Sequence, residues 1–247
     1  MIAVGVVPAR GGSRGIPRKN ITSLAGRPLL AYTADAVRAS KRLLRCILST
    51  DDVEIAKVGR ECGLDVPFMR PAVLATDTAP SIDVMIDVAQ RLCDAGSRPD
   101  VLVLLQPTTP LRAGEDIDGA LDLLERTGAD SVVTVAPVPS DHATEWQLTF
   151  GEDGALTLAD GRPVRHIVSR RQLLRKTHYR NGAVYAVRLD TLLGQRSLYG
   201  ERCLGYVMPA HRSVNIDSPD DLELAERVLA GVASVGIGVR TDLRRHA

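Results

Sequence analysis

The sequence predicts an α/β protein with a mostly parallel sheet and helices on both faces. Short apolar runs alternate with segments whose apolar residues recur at helical spacing, which is typical of strand–helix–strand units. The run 101–105 is apolar throughout, as expected for a strand that is covered on both faces. A chain of 247 residues with 45% hydrophobic residues is long enough for one large domain of this kind.

The first predicted strand, 2–7, leads into a glycine-rich loop and a helix at 28–40, where Pro28 suits the first helical position. The alternation then continues with strand 45–49, helix 52–61, a helix around 82–89, strand 101–105, a helix around 117–124 and strand 131–135. Ligands of such a sheet are expected beyond the carboxyl ends of its strands.

The pattern changes between 137 and 180. Prolines, a turn at 151–154 and alternating apolar residues predict a β-hairpin excursion, interpreted as an inserted dimerisation arm. Strands are then predicted at 183–187 and 213–216.

A final helix is predicted after Ser218, which is expected to cap it, with Pro219 in its first turn. The predicted organisation is a single domain over 1–230, with the arm at 137–180 and a flexible tail at 231–247.

Composition argues against several classes of function. The 31 basic and 30 acidic residues give a net charge of +1, and aromatic residues are only 3%, so nucleic-acid binding is not expected. The longest uncharged apolar stretch, 228–239, is far shorter than a membrane span. The four cysteines have no metal-site or disulfide spacing and are expected to be reduced in a cytoplasmic protein.

Positive charge is concentrated in two blocks, residues 1–50 and 161–217, with acidic segments between them. This distribution favours an anion held between the first loop and a segment near 170, although exposed arginines on an ordinary surface would explain most of it.

The loop 8–20 (PARGGSRGIPRKN) directly follows the first strand and is the sharpest motif. Its glycines allow a ligand to approach the backbone, and its four cations have no acid among them, so it is expected to bind phosphate. It matches neither the Walker A pattern nor GxGxxG, which weakens the case for a P-loop kinase or a dehydrogenase.

Seven motifs in order resemble the acylneuraminate cytidylyltransferase (CMP-sialic acid synthetase) family. They are 8–20, 49–51 (STD), 70–79 (RPAVLATDTA), 104–112 (LLQPTTPLR), 170–172 (RRQ), 181–185 (NGAVY) and 213–217 (SVNID). The resemblance implies a Rossmann-like sheet of the nucleotide-diphospho-sugar transferase type. It also implies a homodimer that transfers CMP from CTP to the anomeric hydroxyl of a nine-carbon 2-keto sugar acid, with Mg²⁺ and release of pyrophosphate.

The resemblance also implies a nucleotide site. The residues expected to contact CTP are Arg10, Gly11, Gly12, Ser13, Lys19, Asn20, Arg70, Asp77, Thr78 and Ala79. Arg14 and Arg18 are further candidates from the same loop. Asp77 is equally well explained as a turn residue or a helix cap.

Acceptor binding is expected from a second set of residues, which comprises Gln106, Thr108, Arg112, Arg170, Arg171, Gln172, Asn181 and Tyr185. One of the adjacent pair Arg170 and Arg171 is expected to face the sugar or the phosphates, in a place that suits a guanidinium–carboxylate pair. Arg112 could instead pair with a helix acid, and Tyr185 could be a core aromatic.

Asp217 is the predicted Mg²⁺ ligand, because its carboxylate follows the last predicted strand and can face the glycine loop. Asn215 stands on the same side of that strand and is the second candidate metal ligand, because its side chain can coordinate the ion or hold a water. The family more often has an aspartate there, and the lost charge puts a second metal in doubt. With Arg10 and Lys19, Asp217 forms the predicted catalytic set.

The acceptor stays open at this point. Legionaminate, pseudaminate, ketodeoxyoctonate or a phosphonate are alternatives to an N-acylneuraminate, and a CTP-binding module without turnover is a further hypothesis.

Overall fold

The computed structural model describes residues 1–13 and 15–231. Its strands are β1 (Ala3–Pro8), β2 (Ser23–Leu24), β3 (Arg27–Pro28), β4 (Leu43–Ser49), β5 (Val101–Leu104), β6 (Ser131–Pro137), β7 (Leu148–Phe150), β8 (Leu156–Leu158), β9 (His178–Arg188) and β10 (Cys203–Val207). Its α-helices are α1 (Leu29–Ala39), α2 (Val53–Glu61), α3 (Ser81–Asp94), α4 (Gly114–Thr127), α5 (Leu189–Gly194) and α6 (Pro219–Leu229).

Within the described residues the central sheet has six strands in the order β10-β6-β9-β5-β1-β4. β1 runs parallel to β4 and β5, and β10 runs parallel to β6. β9 is antiparallel to both of its neighbours, β5 and β6. The predicted mostly parallel sheet is therefore confirmed, with one reversed strand near its centre.

Both faces of the sheet are covered, and alternate side chains enter two separate apolar layers. In β5, Val101 and Val103 pack with α1, α2 and α4, whereas Leu102 and Leu104 pack with α3 and α5. Each of these four side chains is at most 1% exposed. This double coverage is the reason for the unbroken apolar run that the sequence shows.

The final helix begins as predicted. Ser218 caps α6 and accepts a hydrogen bond from the Asp221 amide, while the Asp221 carboxylate accepts one from the Ser218 amide. This reciprocal pair satisfies two amides at the start of the helix and fixes the segment just before it.

Other predictions of elements need correction. Residues 213–216 do not form a strand, because the Ile216 amide bonds to the carbonyl of Thr108, which lies beyond the end of β5, and the Ser213 hydroxyl is held by the side chain of Asn181. β10 and α5 were not predicted, since β10 contains a glycine and half-exposed residues and α5 is only six residues long.

In the arm region, β7 and β8 pair as an antiparallel hairpin. The expected flexible tail falls, from residue 232 onward, outside the described residues.

Among the residues that are described, no helix combines the length and the apolar character that a bilayer crossing requires. The four cysteines are unpaired, and burial raises the pKa of Cys46 to about 12.

Candidate active site

The loop after β1 folds back across the carboxyl ends of the strands. The Asn20 side-chain Nδ2 donates to the Arg10 carbonyl at 3.0 Å, and the Gly11 backbone amide donates to Asp51 Oδ1 at 3.0 Å. Gly15 lies so close to the backbone carbonyl of Asp217 that a Cβ there would collide with it. The loop can therefore contact the segment before α6 only with glycine at that position.

A cavity of about 460 Å³ opens beneath this loop, beyond the carboxyl ends of β1 and β5. The following predicted site residues line it: Arg10, Ser13, Lys19, Asn20, Arg70, Asp77, Ala79, Gln106, Thr108 and Asp217. Residues from opposite ends of the chain thus meet at the edge of the sheet where ligands of this architecture bind.

Two cations of the loop are held by carboxylates across the cavity. Arg10 Nη1 lies 2.9 Å from Asp77 Oδ1 and donates to the Thr76 carbonyl at 2.7 Å. Lys19 Nζ lies 3.1 Å from Asp217 Oδ1 and donates to the Ile216 carbonyl at 3.0 Å. Both pairs are partly exposed, so an incoming polyanion can compete with the aspartates for these cations.

Arg70 forms the buried wall next to the 72–79 segment. Its guanidinium donates to the Ser49 hydroxyl at 3.0 Å, to the Ser49 carbonyl and to the Leu74 carbonyl. Burial lowers the pKa of Arg70 to about 10, so it remains a cation at neutral pH. The side chain is both a lining group and a brace between β4 and the loop before α3.

Asp217 stands at the rim of the cavity with its side chain 54% exposed. Its backbone amide donates to Asp221 Oδ2 at 3.0 Å, and its own Oδ2 accepts from Asn215 Nδ2 at 2.6 Å. Helix capping and the asparagine thus hold the carboxylate toward Lys19.

No group of three metal-ligating side chains occurs among the described residues. Mg²⁺ that is bound with nucleotide phosphates needs only one or two protein ligands, and the exposed carboxylate of Asp217 fits that requirement. The Asn215 amide group turns its nitrogen to Asp217, so Asn215 orients the carboxylate in this structure.

Gln106 and Thr108 lie just beyond the end of β5. The Thr108 carbonyl accepts a hydrogen bond from the Ile216 amide at 2.7 Å, which joins this segment to the one that carries Asp217. Gln106 Oε1 lies 2.8 Å from the place where a Cβ on Gly182 would stand. Gly182 has φ +77°, a conformation that other residues rarely adopt.

A model of the cytidylyltransferase family matches residues 4–228. This chain belongs to the cytidylyltransferase family. It is 32% identical over 230 residues to the CMP-N,N'-diacetyllegionaminic acid synthase of Legionella pneumophila, covering 93% of this chain and 97% of that protein. It is 28% identical to the pseudaminic acid cytidylyltransferase of Campylobacter jejuni, covering 90% of this chain and 93% of that one.

An N-acylneuraminate cytidylyltransferase of Streptococcus agalactiae is 31% identical over 87% of this cytidylyltransferase, which spans 50% of that longer protein. The fold resembles that of a solved CMP:2-keto-3-deoxy-manno-octonic acid synthetase complexed with CTP. The TM-score is 0.69 at 16% identity, and the match covers 94% of this chain and 99% of that one. The predicted family and the predicted fold class are both confirmed.

Several predicted site residues of this cytidylyltransferase do not line the cavity. Gly11, Gly12 and Thr78 lie beside lining residues. Asn181 is buried, where its amide donates to the Ser213 hydroxyl at 2.9 Å. Tyr185 is 6% exposed and packs in the layer between the sheet and α3 and α5, as the core alternative expected.

Arg112 is buried and supports the cavity from below. Its Nη1 donates to the carbonyls of Gln106 and Ala183 at 3.0 and 2.8 Å, and its Nη2 donates to the Thr33 hydroxyl. Burial lowers the pKa of Arg112 to about 10. The expected contact with the acceptor is not seen in this cavity, and the alternative of a pairing with a helix acid is wrong, because Nη1 and Nη2 donate to carbonyl and hydroxyl oxygens. These bonds fix the Gln106 segment against β9.

The arm residues Arg170, Arg171 and Gln172 lie outside this cavity. Arg171 Nε donates to the Ser140 hydroxyl at 2.8 Å, and Arg171 and Gln172 line a separate cavity of about 420 Å³ within the arm. Arg18 instead pairs with Asp52 at 2.9 Å, and Arg14 lies outside the described residues.

Further lining residues were not among the predicted ones. They are Pro8, Gly15, Leu74, Thr76, Ser81, Val84 and Pro107. Ser81 and Val84 belong to the first turn of α3, whose apolar spacing indicated only a core helix. Their position directly after the 74–79 motif was the available signal.

Proposed function

We propose that this cytidylyltransferase transfers CMP from CTP to the anomeric hydroxyl of a nine-carbon 2-keto sugar acid of the N-acylneuraminate type and releases pyrophosphate. The observation that carries the proposal is one cavity that joins the cationic glycine loop to Gln106, Thr108 and Asp217. The names of the legionaminate, pseudaminate and N-acylneuraminate relatives support acceptors of this class.

CTP is proposed to bind along the glycine loop and the 70–79 segment. Arg10, Ser13, Lys19 and Asn20 are suited to the triphosphate and ribose because they line one wall with two cations and polar groups. Arg70, with the turn 77–79, is suited to the cytosine, whose carbonyl and amino edge needs both a donor and backbone acceptors.

Mg²⁺ is proposed as the cofactor, with Asp217 as its protein ligand and Asn215 beside it. When bound, it supplies positive charge to the phosphate oxygens. Asp217 now pairs with Lys19, whose Nζ lies 3.1 Å from Oδ1. Mg²⁺ held by this carboxylate would take the place of Lys19 there, which would leave the ammonium group for the triphosphate.

The reaction needs in-line attack by the anomeric hydroxyl oxygen on the α-phosphorus. The new phosphorus–oxygen bond forms as the bond to pyrophosphate breaks, and the hydroxyl proton leaves to solvent. Arg10 and Lys19 offset the charge that develops on the leaving group, so positioning and electrostatics supply most of the catalysis. No histidine of residues 1–13 and 15–231 lines the cavity, so none of these is assigned as a base.

We propose a homodimer formed through the arm. Large apolar side chains are exposed there, with Phe150 at 81% and Leu173 at 66% exposure. Such a concentration of apolar surface is typical of a protein interface. In the dimer, Arg170, Arg171 and Gln172 are proposed to reach the cavity of the partner, since they do not reach the cavity of their own chain. A cytoplasmic location is part of the same proposal, because the four cysteines are unpaired, as is usual in a reducing compartment.

Pyrophosphate release with each of the four nucleoside triphosphates, against a panel of sugar acids and phosphonates, tests the proposal. Release only with CTP and a nine-carbon acid would support it and name the acceptor among N-acylneuraminate, legionaminate and pseudaminate. Release with ketodeoxyoctonate or a phosphonate would show that the acceptor belongs to that class instead of the nine-carbon acids. CTP binding without release across the panel would favour the inactive module, which Asn215 alone supports.

A further inference from the structure

An aromatic and cationic cluster lies next to the cavity but outside its lining. Arg180 of β9 donates from Nη1 to the hydroxyl of Tyr199, and its guanidinium carbon lies 6.0 Å from the centre of the Tyr199 ring. The rings of Tyr185 and Tyr199 meet edge to face, with centroids 6.3 Å apart. Arg180 and Tyr199 are exposed, so the cluster presents its cation to solvent.

Two contacts bring this cluster to the acceptor end of the cavity. Gly182, two residues after Arg180, lies against the carboxamide of Gln106, which lines the cavity. The loop that carries Tyr199 is held to the first turn of α3 by an ion pair between Arg196 and Asp83 at 2.8 Å. Residues of that same turn also line the cavity.

The reversed direction of β9 explains this position. Leu104, the last residue of β5, pairs with Tyr185, so residues 178–184 extend past the carboxyl end of β5. After a register shift, Arg180 pairs with Val135 of β6. Arg180 therefore stands beyond the carboxyl end of β5, on the edge of the sheet where ligands of such sheets bind.

Arg180 differs from the cations of the glycine loop in its partners. Among the described residues no carboxylate pairs with it, and the hydroxyls of Tyr185 and Tyr199 are neutral acceptors. Both tyrosines raise the pKa of Arg180, so it stays fully charged. A guanidinium has five N–H donors, and two neutral hydroxyls leave donors for an anion.

We infer that Arg180 binds the carboxylate of the sugar acid acceptor and that Tyr199 holds its guanidinium in place. The inference rests on the proposed function and adds a residue that recognises the acceptor rather than the nucleotide. A planar guanidinium pairs with a carboxylate through two parallel hydrogen bonds, which fixes the orientation of the sugar as well as its position. Tyr199 is then a positioning residue.

Steady-state kinetics with saturating CTP and varied acceptor provide the first test. We expect Arg180→Gln to raise the KM for the acceptor by roughly 10- to 100-fold, as for the loss of a hydrogen-bonded charge, and to leave the KM for CTP unchanged. Arg180→Lys should recover part of the loss. Arg126→Gln is the matched control, because Arg126 is an exposed arginine of α4, on the opposite face of the sheet. Equal acceptor KM values for Arg180→Gln and Arg126→Gln would overturn the inference.

Calorimetric titration of the CTP-loaded protein in EDTA separates charge recognition from a structural effect. Wild type should bind the free acid more tightly than its methyl ester, whereas Arg180→Gln should bind both alike. Tyr199→Phe should raise the acceptor KM less than Arg180→Gln does. Wild type that binds acid and ester equally would overturn the inference. If wild type turns over no sugar acid, the proposed function fails and the inference with it, whereas turnover that Arg180→Gln leaves unchanged removes the inference alone.

Discussion

The two ends of the cavity hold their charges in different ways. At the proposed nucleotide end, Arg10 is paired with Asp77 and Lys19 with Asp217. Beside the proposed acceptor end, Arg180 lies outside the lining and has only neutral partners among the described residues. A triphosphate carries several charges and can displace resident aspartates from their cations. A sugar acid carries a single charge. It can bind a cation that has no carboxylate partner without first displacing one.

Loss of Lys19 should have the largest effect, because its ammonium group is expected to face the leaving group. Its side chain is 15% exposed and lies at the rim between the loop and Asp217. Lys19→Ala is expected to lower kcat/KM by about 100-fold or more, measured as pyrophosphate release. Lys57→Ala, at an exposed lysine of α2, is the control. A Lys19→Ala enzyme with the wild-type rate would show that the phosphates bind elsewhere.

Gly182→Ala should come next, and it should affect the acceptor end alone. The new methyl group would stand 2.8 Å from Gln106 Oε1, so the carboxamide must move, and we expect the KM for the acceptor to rise about ten-fold. The KM for CTP should not change.

Gly96→Ala separates this effect from backbone strain. Gly96 has φ +74°, close to the +77° of Gly182, but a Cβ there would meet no atom within 4 Å. Both variants should lose roughly 1–2 kcal/mol of stability in thermal unfolding, since both place alanine in a left-handed conformation. A Gly96→Ala enzyme with an equally raised acceptor KM would assign the effect to strain instead.

The sequence predicted the nucleotide end far better than the acceptor end. The residues of the glycine loop are consecutive, so one motif places them together at the end of β1. The acceptor end depends on the direction of β9, which apolar spacing does not reveal because parallel and antiparallel strands share the same period. Arg180 and Tyr199 meet only because β9 is reversed and overhangs β5.

Some residues of the family motifs were predicted to bind substrate but stabilise the fold instead. Arg112 and Asn181 belong to the family motifs, yet their donors are taken by carbonyl and side-chain oxygens in the interior. The segment 213–216 has the apolar spacing of a strand, but it lies beside the Thr108 segment, which offers no edge for a ladder. These positions hold the cavity in shape rather than line it.

A smaller effect is expected from Asn215→Asp, which makes the metal side of the nucleotide end more acidic. Asn215 Nδ2 lies 2.6 Å from Asp217 Oδ2, so a second carboxylate there would repel the first without a metal and bind Mg²⁺ with it. In EDTA, we expect the variant to have a lower Tm than wild type. With CTP present, the Mg²⁺ concentration that gives half of the maximal rise in Tm should be several-fold lower for the variant. Asn215→Ser is the neutral control. A response to Mg²⁺ equal to that of wild type would remove Asn215 from the metal site.

The smallest effect is expected from Asp77→Asn, which tests whether the aspartates of the nucleotide end compete with phosphate. Arg10 and Asp77 are 28% and 39% exposed, so their ion pair is worth little, and releasing it should tighten pyrophosphate binding only about two- to five-fold. The gain should vanish at high salt, where both charges are screened. Weaker binding by Asp77→Asn at every salt concentration would mean that Asp77 shapes the phosphate site. The presence of aspartate partners at the nucleotide end, and their absence around Arg180, would then no longer explain how the two substrates bind at different places.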